Sequence, residues 1–315
     1  MYIGAILFQG EGFLKPQKFF DILNNNSALI ITACGMSLVM ITGSIDISVG
    51  GVVALVSTCC AVYLDFHEGN IFGSILIAIG VGLLYGLVQG FLVAYLDIQP
   101  FIVSLAGMFF ARGMSTIVHT AHFNVASDVF NALKNTRINV PGMGSVNRKG
   151  IYIPAYVEIG VIVALLLVVI LFIVLRWTKL GRSFYAVGGN KQSALMLGIN
   201  VKRTKFLAHL ICGLLAGIAG YVYLLHVGSS SADNAMGMEM NAIASSIIGG
   251  TMLTGGVGNI IGTLFGVLSL STIQNIVSGA GLGDAWWTGI TIASMLCLFL
   301  VIQSVVMAQK KRALE

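Results

Sequence analysis

The sequence predicts an all-α, polytopic transmembrane helical bundle of about nine to ten segments. Three observations predict it. The 315 residues are 57% hydrophobic and 9% charged, with mean hydropathy +0.93, whereas soluble domains carry about 25% charged residues. Apolar runs of about twenty residues, the length that crosses a hydrocarbon core, recur from end to end. The 39 glycines against 4 prolines suit helices whose backbones approach closely in lipid. A core large enough to hide this much apolar surface from water exceeds what the length can build, so the chain is read as one transmembrane domain over 1–315.

Taken in order, the candidate spans are 27–43, 47–64, 71–96, 99–119, 153–175, 206–227, 240–255, 258–278 and 286–308. Two are interrupted: 27–64 at Gly43-Ser-Ile-Asp-Ile-Ser-Val-Gly-Gly51, and 240–278 at Gly249-Gly-Thr-Met-Leu-Thr-Gly-Gly-Val-Gly258. Such breaks mark discontinuous helices, which membranes tolerate where the irregular backbone is buried in protein or lines a cavity. A faint repeat links them. Met40-Ile-Thr-Gly-Ser-Ile45 recurs as Met252-Leu-Thr-Gly-Gly-Val257, 212 positions later.

The net charge of +5 reflects basic loops. It is a topology signal rather than a nucleic-acid footprint. Residues 176–205 hold seven Lys or Arg and no acid, and Lys310-Lys-Arg312 close the last span. Both favour the cytoplasm, as the four segments between them allow. The 120–152 loop then falls outside although it carries Lys134, Arg137, Arg148 and Lys149, a conflict outweighed by the denser inside signals. The same count leaves residues 9–26 outside. Met1 to Phe8 is either a stub at the outer surface or the end of a first helix cut by the recorded start; the repeat favours the second. That stretch also lacks the basic flank and length of a cleavable signal.

Several chemistries are absent. There is no GxxxxGK[ST] phosphate loop, HExxH, GxSxG or dinucleotide fingerprint. Cys34, Cys59, Cys60, Cys212 and Cys297 lie in apolar stretches without CxxC spacing, as packed thiols do. His67, His119, His122, His209 and His226 lack paired ligand spacing and read as interfacial. Trp286 and Trp287 read as an interfacial belt. Arg112 snorkels or pairs with a carboxylate.

Two constellations remain. In the basic loop, Asn190 is a good N-cap, Lys191 to Leu197 a helix of about two turns, and Gly198 a good C′ residue. Ala194, Leu195 and Leu197 would form a small apolar face, with Lys202, Arg203 and Lys205 following. This fits helix-in-groove docking on a partner protein, or a helix lying on anionic headgroups. Asp46, an ionisable group at membrane depth, costs a few kcal/mol. It either caps the broken helix through the N–H groups of Ser48 and Val49 or meets polar cargo. With Ser48, it joins Gln89, Asn259, Gln274 and Asn275 as candidates for interhelical hydrogen bonding or for a pathway or gate.

Three stretches carry a family resemblance. Ile41-Thr-Gly-Ser-Ile-Asp-Ile-Ser-Val-Gly-Gly-Val-Val-Ala-Leu55 resembles the TGGIDLSVG signature of the sugar permeases of ABC importers, the ribose, arabinose, xylose and galactoside class, with Ser44 and Ile47 as mild departures. Leu180-Gly-Arg-Ser-Phe-Tyr-Ala-Val-Gly-Gly-Asn190 and Ala194-Leu-Met-Leu-Gly-Ile-Asn200 resemble the cytoplasmic motif. Ala242 to Gly266 supplies the third match. Asp284-Ala-Trp-Trp-Thr-Gly289 and the 228–240 loop are most similar to galactofuranose-type permeases.

The resemblance implies ABC importer permease architecture in a bacterial inner membrane, multi-pass, with a cytoplasmic C-terminus. It also implies a complete first helix. The turn at 190–198 becomes the coupling element to a cytoplasmic ABC ATPase. A second permease subunit, identical or paralogous, and an extracytoplasmic sugar-binding protein complete the assembly. Membrane lipid surrounds it. ATP and Mg²⁺ are used on the ATPase, and this chain binds no cofactor and performs no covalent chemistry. The rival expectation is a self-contained transporter coupled to H⁺ or Na⁺, for which Asp46 is nearly the only ionisable relay.

Overall fold

The structure, a computed structural model, describes residues 15–146, 152–282 and 284–312. Its helices are α1 (Pro16–Ile41), α2 (Val49–Phe66), α3 (Ile71–Ala94), α4 (Pro100–Val118), α5 (Asp128–Lys134), α6 (Ile159–Trp177), α7 (Lys179–Gly189), α8 (Lys191–Met196), α9 (Val201–Val227), α10 (Met238–Ile248), α11 (Ile260–Gly279) and α12 (Ala285–Arg312). Among the described residues eight of these, α1–α4, α6, α9, α11 and α12, are long and apolar enough to cross a membrane.

The core forms around α1, which is buried along most of its length. It is flanked by α9, α10, α11 and α6. The predicted glycine packing appears between α3 and α9. A Cβ on Gly82 would lie 2.5 Å from the Gly213 carbonyl, and one on Gly86 2.8 Å from that of His209. A row of hydroxyls ties α1 to α10 and α11. Ser37 Oγ donates to Ser246 Oγ at 3.0 Å and lies 2.6 Å from Thr263 Oγ1, the interhelical bonding that lipid-embedded hydroxyls require.

Two small sheets lie at the end of the bundle away from the basic loop. Phe123–Asn124 (β1) pairs antiparallel with Ser229–Ser230 (β4). Arg137–Val146 (β2) pairs antiparallel with Tyr152–Glu158 (β3), with a register irregularity between Asn139 and Gly144. The described part of the 120–152 loop is therefore folded, and the segment extends six residues further: Tyr152–Glu158 is a strand, and the helix expected from 153 begins at Ile159.

Other boundaries also move. The first span starts at Pro16 rather than 27, so most of the segment expected outside is helical. Its run Asn24-Asn25-Asn26 stays in the helix because Asn24 and Asn26 have partners. Asn24 Oδ1 accepts from the Glu158 amide at 3.0 Å, and Asn26 Nδ2 donates to Ser271 Oγ at 2.8 Å. The helix expected from 206 begins at Val201, where Asn200 caps it by accepting from the Arg203 amide at 2.9 Å. The span expected over 240–255 is instead the eleven-residue α10, which ends before Gly249-Gly250. At about 1.5 Å per residue such a helix reaches roughly half-way across a hydrocarbon core. Met1 to Phe8 and the Arg148–Lys149 pair lie outside the described residues.

The repeat is structural. Gly43 and Gly255 both take positive φ, +77° and +85°, the left-handed region that glycine enters without a Cβ penalty. Each amide closes the same turn, Gly43 N to Met40 O at 2.9 Å and Gly255 N to Met252 O at 3.2 Å. The two turns touch, with Gly256 N donating to Ile41 O at 2.8 Å. The pairs α2/α11 and α3/α12 follow at nearly the same spacing.

Candidate functional site

The break after α1 brings an extended segment back into the bundle and buries Asp46, which is 3% exposed. Asp46 Oδ1 accepts from the Ser48 amide at 3.0 Å and the Ser48 hydroxyl at 2.6 Å. Ser48 Oγ in turn accepts from Gln89 Nε2 at 2.7 Å. Three of the sequence candidates thus form one buried chain, Gln89 to Ser48 to Asp46, spanning α3 and the start of α2. The carboxylate caps through Ser48 alone, by amide and hydroxyl, rather than through the amides of both Ser48 and Val49.

Two residues of α9 are buried nearby. His209 packs against Gly90, the neighbour of Gln89, where a Cβ would lie 3.3 Å from its own, and Cys212 is fully buried. His209 is not interfacial, because the close approach of α3 at Gly90 seals it to 1% exposure. Its Nδ1 donates to the Lys205 carbonyl at 3.0 Å, the only role a carbonyl permits. That leaves Nε2 facing the interior. Among the described residues four buried atoms around this site, His209 Nε2, Gln89 Oε1, Ser44 Oγ and Tyr85 Oη, find no protein partner. Buried polar groups are ordinarily paired, which sets these atoms apart. Gln89 and Tyr85 also line a groove of about 620 Å³ between α3 and α4, otherwise walled by apolar side chains such as Leu84, Ile102 and Phe110.

The remaining candidates lie elsewhere. Asn259 is exposed and caps α11, accepting from the Ile261 amide at 3.0 Å. Gln274 and Asn275 sit near the opposite end of α11, where Asn275 Nδ2 donates to the Ser271 carbonyl at 2.9 Å. None of these three joins the Asp46 chain.

The basic loop holds two helices. Thr178 caps α7, accepting from the Gly181 amide at 3.2 Å, and α7 buries Phe184 fully in the main core. Asn190 caps α8, accepting from the Ser193 amide at 2.9 Å. Gly198 follows at φ +76°, and Lys202 and Arg203 are exposed at the start of α9. The expected apolar face needs one correction. Ala194 is buried and packs with Val187 and Val201, so it fixes α8 to the bundle. Leu195, Met196 and Leu197, 53%, 81% and 78% exposed, form the outward knob. Lys191 Nζ meets Asp97 Oδ1 of the α3–α4 connection at 3.7 Å.

The end of α7 is seated on both helix breaks. A Cβ on Gly188 would strike the Ile41 carbonyl and approach the Gly256 amide to 2.6 Å. One on Gly256 would come 2.6 Å from Gly189 Cα. Tyr185 Oη donates to the Gly258 carbonyl at 2.9 Å.

Two further residues were not resolved by sequence reasoning. Arg112 neither snorkels nor pairs with a carboxylate. It donates to the carbonyls of Ala232, Asn234 and Ala235 at 3.2, 2.6 and 3.1 Å. Glu239, 9% exposed, places its carboxylate against Gly50 at the start of α2. It is the second residue of α10. Among the described residues no group of three or more His, Cys, Asp or Glu gathers as a metal site.

Comparison with known proteins places this arrangement. The chain is 35% identical over 298 residues to the inner membrane ABC transporter permease protein YjfF of Escherichia coli K12, covering 94% of this chain and 86% of that one. It is 35% identical to the fructose import permease protein FruG of Bifidobacterium longum, covering 90% and 82%. To the ribose import permease protein RbsC of Escherichia coli K12 it is 33% identical, covering 87% and 81%. No solved structure matches it. Residues 18–300 match the family described as the branched-chain amino acid transport system permease component, and the chain belongs to that family of membrane permeases.

Proposed function

We propose that the chain is the permease subunit of an ATP-driven importer of a monosaccharide and forms the translocation pathway by alternating access. Family membership sets aside the self-contained H⁺- or Na⁺-coupled transporter. The observation that carries the mechanism is the seating of α7 on both helix breaks, beside a short capped helix that turns Leu195, Met196 and Leu197 outward. A cytoplasmic ABC ATPase grips that knob in the helix-in-groove manner. Its ATP- and Mg²⁺-dependent closure reaches the breaks through Gly188 and Gly189. Asn190, Ala194 and Gly198 hold the coupling helix in shape, and Lys202 and Arg203 flank it.

Asp46, Ser48 and Gln89, with His209 added from the structure, form the polar element of the pathway or its gate. Asn259, Gln274 and Asn275 act in capping and helix packing. The basic end, with the C-terminus, faces the cytoplasm of a bacterial inner membrane. A second permease subunit and an extracytoplasmic binding protein complete the importer.

Two considerations favour sugar over an amino acid despite the family's description. The relatives named for a substrate above are permeases for fructose and ribose. A zwitterionic amino acid also needs a cation for its carboxylate, and Arg112 is already engaged with three carbonyls. Carboxylate, hydroxyl, amide and imidazole groups suit a neutral polyol. The finer assignment to galactofuranose-type cargo rests on Asp284–Gly289 and the 228–240 loop.

The test is co-purification of the tagged chain with the ATPase encoded beside it. Changing Leu195 and Leu197 together to Glu leaves Ala194 and the fold untouched. The expected outcome is at least a tenfold drop in recovered ATPase at unchanged membrane abundance. Undiminished recovery removes the coupling role of α8.

A further inference from the structure

The sheet-bearing end of the bundle carries a polar pocket of about 340 Å³ between α1, α9 and the loop leading into α10. From it we infer a binding site for a neutral polyhydroxylated ligand, the incoming sugar, on the outer side of the protein. The inference rests on the importer reading and its orientation. It adds an entry site lined by residues other than those of the Asp46 cluster.

The pocket's chemistry is that of hydroxyl recognition. Asn25 of α1 is exposed at its rim. Asp233 contributes a carboxylate that has no ion-pair partner among the described residues. Tyr223 lines the wall, its hydroxyl accepting from the Ala235 amide at 3.3 Å. Asn241 lines it from α10, and its Oδ1 is buried with no protein partner. Met236 offers an apolar surface for a ring face. A few convergent polar groups beside apolar surface, in a volume near the lower range of small-molecule sites, is the pattern expected for a ligand of monosaccharide size.

The wall is built rather than loose. Ala235 is held at φ +54°, a conformation uncommon for a residue other than glycine, and Gly237 at +78°. Arg112 holds that turn through the carbonyls of Ala232, Asn234 and Ala235. A guanidinium presents its donors in a rigid fork, so it fixes where Asp233 and Met236 stand. Arg112 is thus a positioning residue for the pocket. Polar groups continue past the pocket. On α10, Ser245 lies one turn beyond Asn241 and its Oγ is likewise unpaired. Glu239, at the start of the same helix, rests on Gly50, two residues after Ser48.

The experiment is protection of an introduced cysteine in the assembled importer, with Cys59 and Cys297 changed to Ser. Met236→Cys reports the pocket, and Val129→Cys, exposed on α5 at the same end, is the control. Both are labelled with a membrane-impermeant maleimide in the presence of millimolar neutral pentoses and hexoses, ribose and fructose among them, or of leucine. A transported sugar should slow labelling of M236C at least threefold and leave V129C unchanged. Asp233→Asn and Asn241→Leu, each added separately, should abolish the protection. If the importer takes up a sugar but that sugar does not protect M236C, the pocket is overturned and the importer reading stands. Uptake of no sugar overturns that reading and the pocket with it. Protection by leucine overturns the ligand class. Protection by the binding protein without sugar makes the surface a docking site and overturns the pocket.

Discussion

The segments α1–α2–α3 and α10–α11–α12 share a backbone plan but not a chemistry. Both plans turn at a left-handed glycine with the same amide-to-carbonyl closure. In the first, the residues after and beside the turn are Asp46, Ser48 and Gln89, all buried and bonded in a chain. The positions 212 residues later are Gly258, Ile260 and Val301. The second turn therefore repeats the shape without these three polar side chains. Burial differs too. In the third helix of each set, 28% of the spanning window of α3 is buried, whereas the window Trp286–Val305 of α12 has no buried residue. A duplicated frame leaves one copy free to act as scaffold while the other specialises.

The strongest way to break this equivalence is at the glycines. Gly255→Ala adds left-handed strain of about 1–2 kcal/mol and drives a Cβ to 2.8 Å from the Gly43 amide. Gly43→Ala adds the strain alone, since its Cβ meets only the Thr254 carbonyl at 3.7 Å. The expected outcome is a large loss of folded protein for G255A and a fall of a few degrees in the detergent unfolding midpoint for G43A. Equal losses would mean that the contact between turns carries no energy.

The next effect separates the two chemistries. Asn caps helices about as well as Asp, so Asp46→Asn preserves the turn while removing the charge. Uptake by D46N should fall at least tenfold with the unfolding midpoint little changed. Retained uptake reduces Asp46 to a cap. At the position that matches Ser48 in the second half, Ile260→Val should cost about 0.5–1.5 kcal/mol of stability and leave uptake per folded transporter unaltered.

The smallest effect lies at the surface. Lys191 and Asp97 are 54% and 79% exposed at 3.7 Å, and such pairs are worth about 0–1 kcal/mol. Lys191→Ala should shift the unfolding midpoint by less than about 2 °C. A larger shift would show that the pair holds α8 in place more firmly than Ala194 does.

Much of this was legible in the sequence, and the misses have physical causes. The apolar runs placed eight spans, and the spacing of Asn190 and Gly198 placed α8 to within a residue. The Asp46–Ser48 turn bond was readable because a carboxylate two residues before a free amide reaches it locally. The first eleven residues of α1 were missed because three consecutive asparagines look like a loop until Glu158, Tyr156 and Ser271 are known to meet them. The span over 240–255 failed because hydropathy does not register where Gly249-Gly250 stops a helix. Ala194 was assigned by residue type, but it lies on the inner face of a helix only six residues long. The carbonyl partners of Arg112 lie about 120 residues downstream, beyond any local pattern. His209 lacked a signal because the closeness of α3 and α9 depends on glycines in both.

The seat of α7 on the two turns has a consequence for timing. Gly188 and Gly189 meet Ile41, Gly255 and Gly256 through main-chain atoms, so no side-chain rotamer lies between them to absorb a displacement. A shift delivered to the basic loop reaches both turns in the same instant. Displacing α7 would then move the two turns together rather than one after the other.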